Sequence, residues 1–234
     1  MQKILFACLS ILFLPVRSVC TEVTVVASPQ NEAERKLIER IQQGDSGAIT
    51  EAGKSQNTAF IPYLTRELKN SKPGGIGGDR VFVLRLALAK LGDVEQLQTF
   101  WCESLSEDPN KGLHPARIFD SIGGWYSIRA LQFFLTPDGE IHWKKAYSRF
   151  GGKYGNDVLQ TPPSFEALQI LPKLVPNPPT GPLSSESASR PADLINTWQD
   201  WIAAHKDELS KLQPTGEGVD FSPRACKNGR PRKK

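Results

Sequence analysis

Between Asn31 and Leu135 the apolar residues recur three or four positions apart, the spacing of helices that bury one face. Leu37, Ile38 and Ile41 form the first short stripe. Phe60, Ile61, Leu64 and Leu68 follow at i, i+1, i+4 and i+8, again one face of a helix. After a glycine-rich break at Lys72 to Gly78, the segment Val81 to Leu91 predicts a strongly apolar helix. A turn at Gly92-Asp93 leads to a helix carrying Leu97, Phe100, Trp101 and Leu105. The next begins near Pro115, passes through Ile118, Phe119 and Ile122, and stops at Gly123-Gly124. Its successor puts Ile128, Leu131 and Leu135 on one side.

Beyond Leu135 the pattern loosens. Thr136-Pro137-Asp138-Gly139 reads as a turn, because proline presets φ and glycine accepts a positive one. Phe165 to Leu174 predicts one more helix. Residues 160–192 hold eight of the 18 prolines, so residues 175–190 read as a Pro/Ser-rich loop. Pro191 suits the first turn of a final helix. Leu194, Trp198, Trp201, Ile202, His205, Leu209 and Leu212 make its apolar stripe, and two tryptophans on one face suit a capping helix.

A repeat underlies the helical part. Leu91-Gly92-Asp93 and Ile122-Gly123-Gly124 lie 31 residues apart, and Leu97 and Phe100 return at the same offset as Ile128 and Leu131. A recurring helix, glycine turn and helix of this length is the pattern of an α-solenoid. Two segments carry a family resemblance. Ile61-Pro62-Tyr63-Leu64-Thr65-Arg66-Glu67-Leu68 resembles the second helix of a HEAT-type repeat. Ala87-Leu88-Ala89-Lys90-Leu91-Gly92-Asp93 resembles the close of a HEAT first helix. The resemblance spans roughly residues 45–135 and implies a right-handed superhelix of helical hairpins. The loop Lys72 to Gly78 departs from it, because a tight turn belongs there.

The ends of the chain have a different chemistry. Lys3 followed by the apolar run Ile4 to Val16 reads as a secretory signal peptide over residues 1–20, too short to span a bilayer comfortably. Arg17, Ser18 and Val19 precede Cys20 where a lipoprotein signal wants Leu and small residues, so no lipid anchor is expected there. Export makes Cys102 and Cys226 a candidate disulfide in an oxidising compartment, with two unrelated thiols as the alternative. The last eleven residues carry Arg224, Lys227, Arg230, Arg232, Lys233 and Lys234 and no acid. With the net charge at +4, these six and the two cations of the signal leave residues 21–223 at −4. The tail therefore reads as a basic, disordered end and a candidate polyanion contact. Gly229-Arg230-Pro231 resembles the core of an AT-hook, but Asn228 stands where that pattern wants arginine. Nucleic acid is not the expected partner.

Candidate chemistry is sparse. Gly74 to Gly78 is followed by Asp79-Arg80, and Gly151-Gly152-Lys153 by Tyr154, so neither is a phosphate-binding loop. Asp138, Glu140 and His142 alternate like ligands on a strand, yet scattered loop polars account for them equally, and no metal or cofactor is expected. Glu103-Ser104 resembles the Glu-Ser start of lytic transglycosylases, in which the Glu is the general acid, but the downstream Gly-Leu-Met-Gln element is absent. Trp143, Tyr147, Phe150 and Tyr154 interleave with Lys144, Lys145, Arg149 and Lys153. This reads either as a ligand surface of rings and cations or as a core stripe with a solvated basic back. The sequence thus predicts an all-α, short HEAT-like α-solenoid of five to six helix pairs over residues 21–223. It predicts an exported, secreted or periplasmic, non-enzymatic interaction protein that binds a protein or an envelope polymer. The alternative is an all-α envelope hydrolase.

Overall fold

The computed structural model describes residues 31–71, 78–106, 115–139, 163–181 and 191–232, and these are mostly helical. Helix α1 spans Glu32–Gln42, α2 Ser46–Lys54, α3 Ile61–Asn70, α4 Gly78–Lys90 and α5 Val94–Ser104. Then come α6 Pro115–Ile122, α7 Gly124–Phe134, α8 Pro163–Leu174, α9 Pro191–Ala204 and the single turn α10 Lys206–Leu209. Near the C-terminus β1 (Cys226–Lys227) pairs antiparallel with β2 (Arg230–Pro231). No helix among the described residues is long and apolar enough to cross a membrane. The expected signal peptide, residues 1–20, lies outside the described residues, as does most of the Lys72 to Gly78 loop.

Two Gly-Asp pairs turn the chain in the same way. Gly44 and Gly92 follow α1 and α4 with φ of 84° and 87°, the left-handed region that glycine enters without a Cβ clash. The aspartate after each one caps the next helix. Asp45 Oδ1 accepts from the amides of Gly47 and Ala48 at 2.8 and 3.2 Å, and Asp93 Oδ1 accepts from that of Gln96 at 2.9 Å. The Arg40 guanidinium, 2.8 Å from Asp45 Oδ2, holds that carboxyl below the usual carboxylate range.

The helices bury two apolar cores, and α4 belongs to both. Leu84, Ala87 and Leu88 join Leu37, Ile38, Ile41, Ile49, Phe60 and Leu64 in the N-terminal core. From the same helix Ala89 enters the larger core, with Phe82 and Leu86 packed against it. A helix enclosed on both sides keeps little polar face, which explains why Arg85 is the only charged residue between Val81 and Ala89. It packs on α2, α3, α5 and α6. The approach to α2 is close: a Cβ on Gly53 would lie 2.8 Å from the Ala87 Cα. Arg85 ties α4 to α5, with Nη2 2.8 Å from Glu103 Oε2, Nε 3.1 Å from Gln96 Oε1 and the guanidinium 4.6 Å from the Phe100 ring centre.

Two expectations for the C-terminal third need correction. The final helix does not run unbroken to Leu212; it is interrupted at His205, between α9 and α10. There the His205 ring stacks on Trp201 at 4.2 Å, with Nδ1 2.8 Å from the Trp201 carbonyl oxygen. Trp198 is fully buried and its indole N–H donates to Thr180 Oγ1 at 3.1 Å, fastening the start of the Pro/Ser-rich loop to α9. Residues 182–190 of that loop lie outside the described residues. The basic end, expected to be disordered, is folded through Arg232. Asn228 and Gly229, with φ of 51° and 72°, form the tight two-residue turn that joins β1 to β2.

Replacing Gly53 by Leu forces α2 away from α4 and is expected to cost about 2–3 kcal/mol in a denaturant titration, the scale of overpacking. Lys90 gives a pH-dependent prediction. Burial, and then the charge of Lys54, hold its ammonium pKa below the ordinary lysine value. The folded state therefore binds that proton less well than the unfolded chain, so protonation at neutral pH opposes folding. Lys90→Met should raise Tm at pH 7, and the gain should shrink as the pH approaches the lysine range.

Candidate functional site

The N-terminus of α7 leaves backbone amides without helical partners, and the chain after α10 supplies them. The Trp125 and Tyr126 amides donate to the carbonyls of Leu212 and Pro214, each at 3.0 Å. Gly124 makes this approach possible, since a Cβ there would strike the Gln213 peptide. Farther on, the Gln98 side chain clamps Asp220. Its Nε2 donates to the Asp220 carbonyl at 3.0 Å, and its Oε1 accepts from the Asp220 amide at 2.8 Å. Phe221 then seats its ring 5.3 Å from Trp101 and 5.5 Å from Tyr126. Cys226 is joined to the fully buried Cys102, with Cα atoms 5.2 Å apart. Gly229 is buried against Ser106. Residues 210–232 thus form a strap across α5 and α7.

Beside this strap lies a cleft of about 540 Å³ lined by Trp125, Arg129, Gln132, Ile202, Ala203 and Lys206. Trp125, Arg129 and Gln132 stand at i, i+4 and i+7 on α7, one face, while Ile128 and Leu131 face the core. The Arg129 guanidinium lies 4.2 Å over the Phe221 ring, and burial holds its pKa below the ordinary arginine value. No ion pair engages Arg129 or Lys206 among the described residues. Sequence patterning alone singles out none of these polar residues. The one signal it holds for them is their spacing on an otherwise apolar helix.

The strap ends in a second positive surface. Lys227 stands directly opposite Arg230 across the hairpin, so like charges share one face. Both are exposed, as are Arg224 and Arg232, and none of the four has an ion-pair partner among the described residues. Lys233 and Lys234 lie outside the described residues, and so does the segment containing Trp143, Lys144, Lys145, Tyr147, Arg149 and Lys153.

Glu103 is held by Arg85, and its side chain is only 17% exposed. It lines no part of the cleft beside the strap. Among the described residues no three His, Cys, Asp or Glu side chains gather closely enough to hold a metal ion.

Tyr126 supplies a test of the packing of α7 on α5 beneath the strap. Fully buried, it donates its hydroxyl to the Leu97 carbonyl at 2.8 Å, and burial, then the charge of Glu103, push its pKa well above the usual phenol value. Its contribution to stability is full below pH about 10 and is lost as the pH climbs toward the raised folded value. Tyr126→Phe leaves that carbonyl without its side-chain donor and should lower stability by about 1–2 kcal/mol in a denaturant titration. No protein family matches this sequence, and neither curated proteins nor solved structures give a match.

Proposed function

We propose that the protein is an exported, non-enzymatic interaction protein, a short HEAT-like α-solenoid that binds an acidic protein or an anionic envelope polymer. The solenoid reading is supported by how the helices follow one another. The pairs α1/α2, α4/α5 and α6/α7 are joined by three residues or fewer. Helices two places apart also pack together, α1 on α3, α2 on α4 and α4 on α6, as stacked hairpins do. Export is supported by the apolar N-terminal run and by the bonded Cys102–Cys226 pair, which suits an oxidising compartment. The pairing of Glu103 with Arg85 favours a structural over a catalytic role for that carboxylate.

The observation that carries the partner's chemistry is the C-terminal hairpin. Arg224, Lys227, Arg230 and Arg232 are exposed, without ion pairs among the described residues, and displayed on a segment cross-linked to α5. A cross-strand pair of like charges opposes hairpin formation, and an anion laid across it removes that opposition. Binding should weaken with salt, because exposed charges are screened within about 8–10 Å at physiological ionic strength. The test is the affinity of the full chain for polyglutamate and for uncharged dextran at rising salt. Changing all four cations to Gln should weaken polyglutamate binding at least about tenfold and leave dextran unaffected. Equal affinity before and after the change would remove the hairpin from the account.

A further inference from the structure

The geometry points to a second site, independent of the hairpin. The cleft between α7 and the α9–α10 corner takes a small organic anion, its carboxylate or phosphate met by Arg129 and Lys206 and its flat or apolar part lying against Trp125 and Ala203. The argument begins with Arg129. A half-buried guanidinium costs free energy unless something offsets its charge, and no carboxylate among the described residues does so. What the protein provides instead is the face of Phe221, 4.2 Å from the guanidinium. A ring there fixes the plane of the side chain and leaves its N–H edge to donate. The planar edge suits a two-oxygen acceptor, which carboxylates and phosphates both present.

The rest of the cleft fits the same ligand. Lys206 brings a second cation from the opposite wall, and Gln132 an amide that both donates and accepts. Trp125 and Ala203 supply apolar surface, and about 540 Å³ lies within the range of small-molecule sites. A few convergent polar groups on an apolar lining is the composition that fixes a ligand's orientation. The site is also held from behind, because Phe221 sits on the strap between the Gln98 clamp and Cys226.

Calorimetric titration of the full chain with phenyl phosphate, benzoate and uncharged benzyl alcohol tests this. At least one of the two anions should bind about tenfold or more tightly than the alcohol, and the preferred one identifies the anionic group. Arg129→Gln and Lys206→Gln should each weaken that binding by about tenfold. The hairpin variant lacking its four cations should bind the same anion with unchanged affinity, which separates this site from the proposed function. Lys206 is exposed, so its variant decides the matter even if loss of Arg129 disturbs the packing of Phe221. Equal binding of anion and alcohol, no anion binding at millimolar concentration, or indifference to Lys206→Gln would each overturn the proposal.

Discussion

The start of α7 and the strap that covers it depend on each other, and the candidate surfaces depend on both. The amides of Trp125 and Tyr126 need acceptors, and the carbonyls of Leu212 and Pro214 provide them without any help from a side chain. That leaves Trp125 and Arg129 free to line a cleft and Tyr126 free to reach the Leu97 carbonyl. Two such hydrogen bonds contribute only about 1 kcal/mol each, too little to hold more than twenty residues of irregular chain. The covalent link contributes more. Cys102 and Cys226 are 124 residues apart, and closing a loop of that length contributes about 4–5 kcal/mol in the chain-entropy model. The strap is therefore best understood as seated by hydrogen bonds and aromatic packing and retained by the cross-link.

Through this arrangement a feature at the end of the chain becomes part of its middle. Phe221 touches Trp101 on α5, Tyr126 and Arg129 on α7, and so connects the large core to the cleft. Between the two cores α4 plays the connecting role. It contributes to both cores and is clamped to α5 by Arg85. Both connections converge on α5, which carries Gln98, Trp101, Cys102 and Glu103 within six positions.

The helices were legible in the sequence because burial imposes a period. Leu37, Ile41, Leu64, Leu97, Phe100, Ile128 and Leu131 are all buried, each where its stripe predicts. The Gly92-Asp93 turn was legible too, since only glycine enters its backbone region freely and aspartate is a strong cap. The folded tail was not. Its six cations suggest a solvated end, and they outweighed Asn228-Gly229, a strong short-range hairpin signal. Charge density argues for disorder only where nothing fastens the chain, and here Cys226 fastens it. The cleft was hidden for a related reason. Its walls come from α7 and from the α9–α10 corner more than sixty residues later, and no local pattern reports that meeting.

The central claim is that the C-terminal strap is covalently fixed to α5, and peptide mapping of the protein purified without reduction tests it most directly. The account predicts a proteolytic fragment linking Cys102 to Cys226, which separates into two peptides when a reductant is added. Recovery of both cysteines as free thiols from the unreduced protein would contradict it, and would leave the hairpin and the Phe221 ring beneath Arg129 without their anchor.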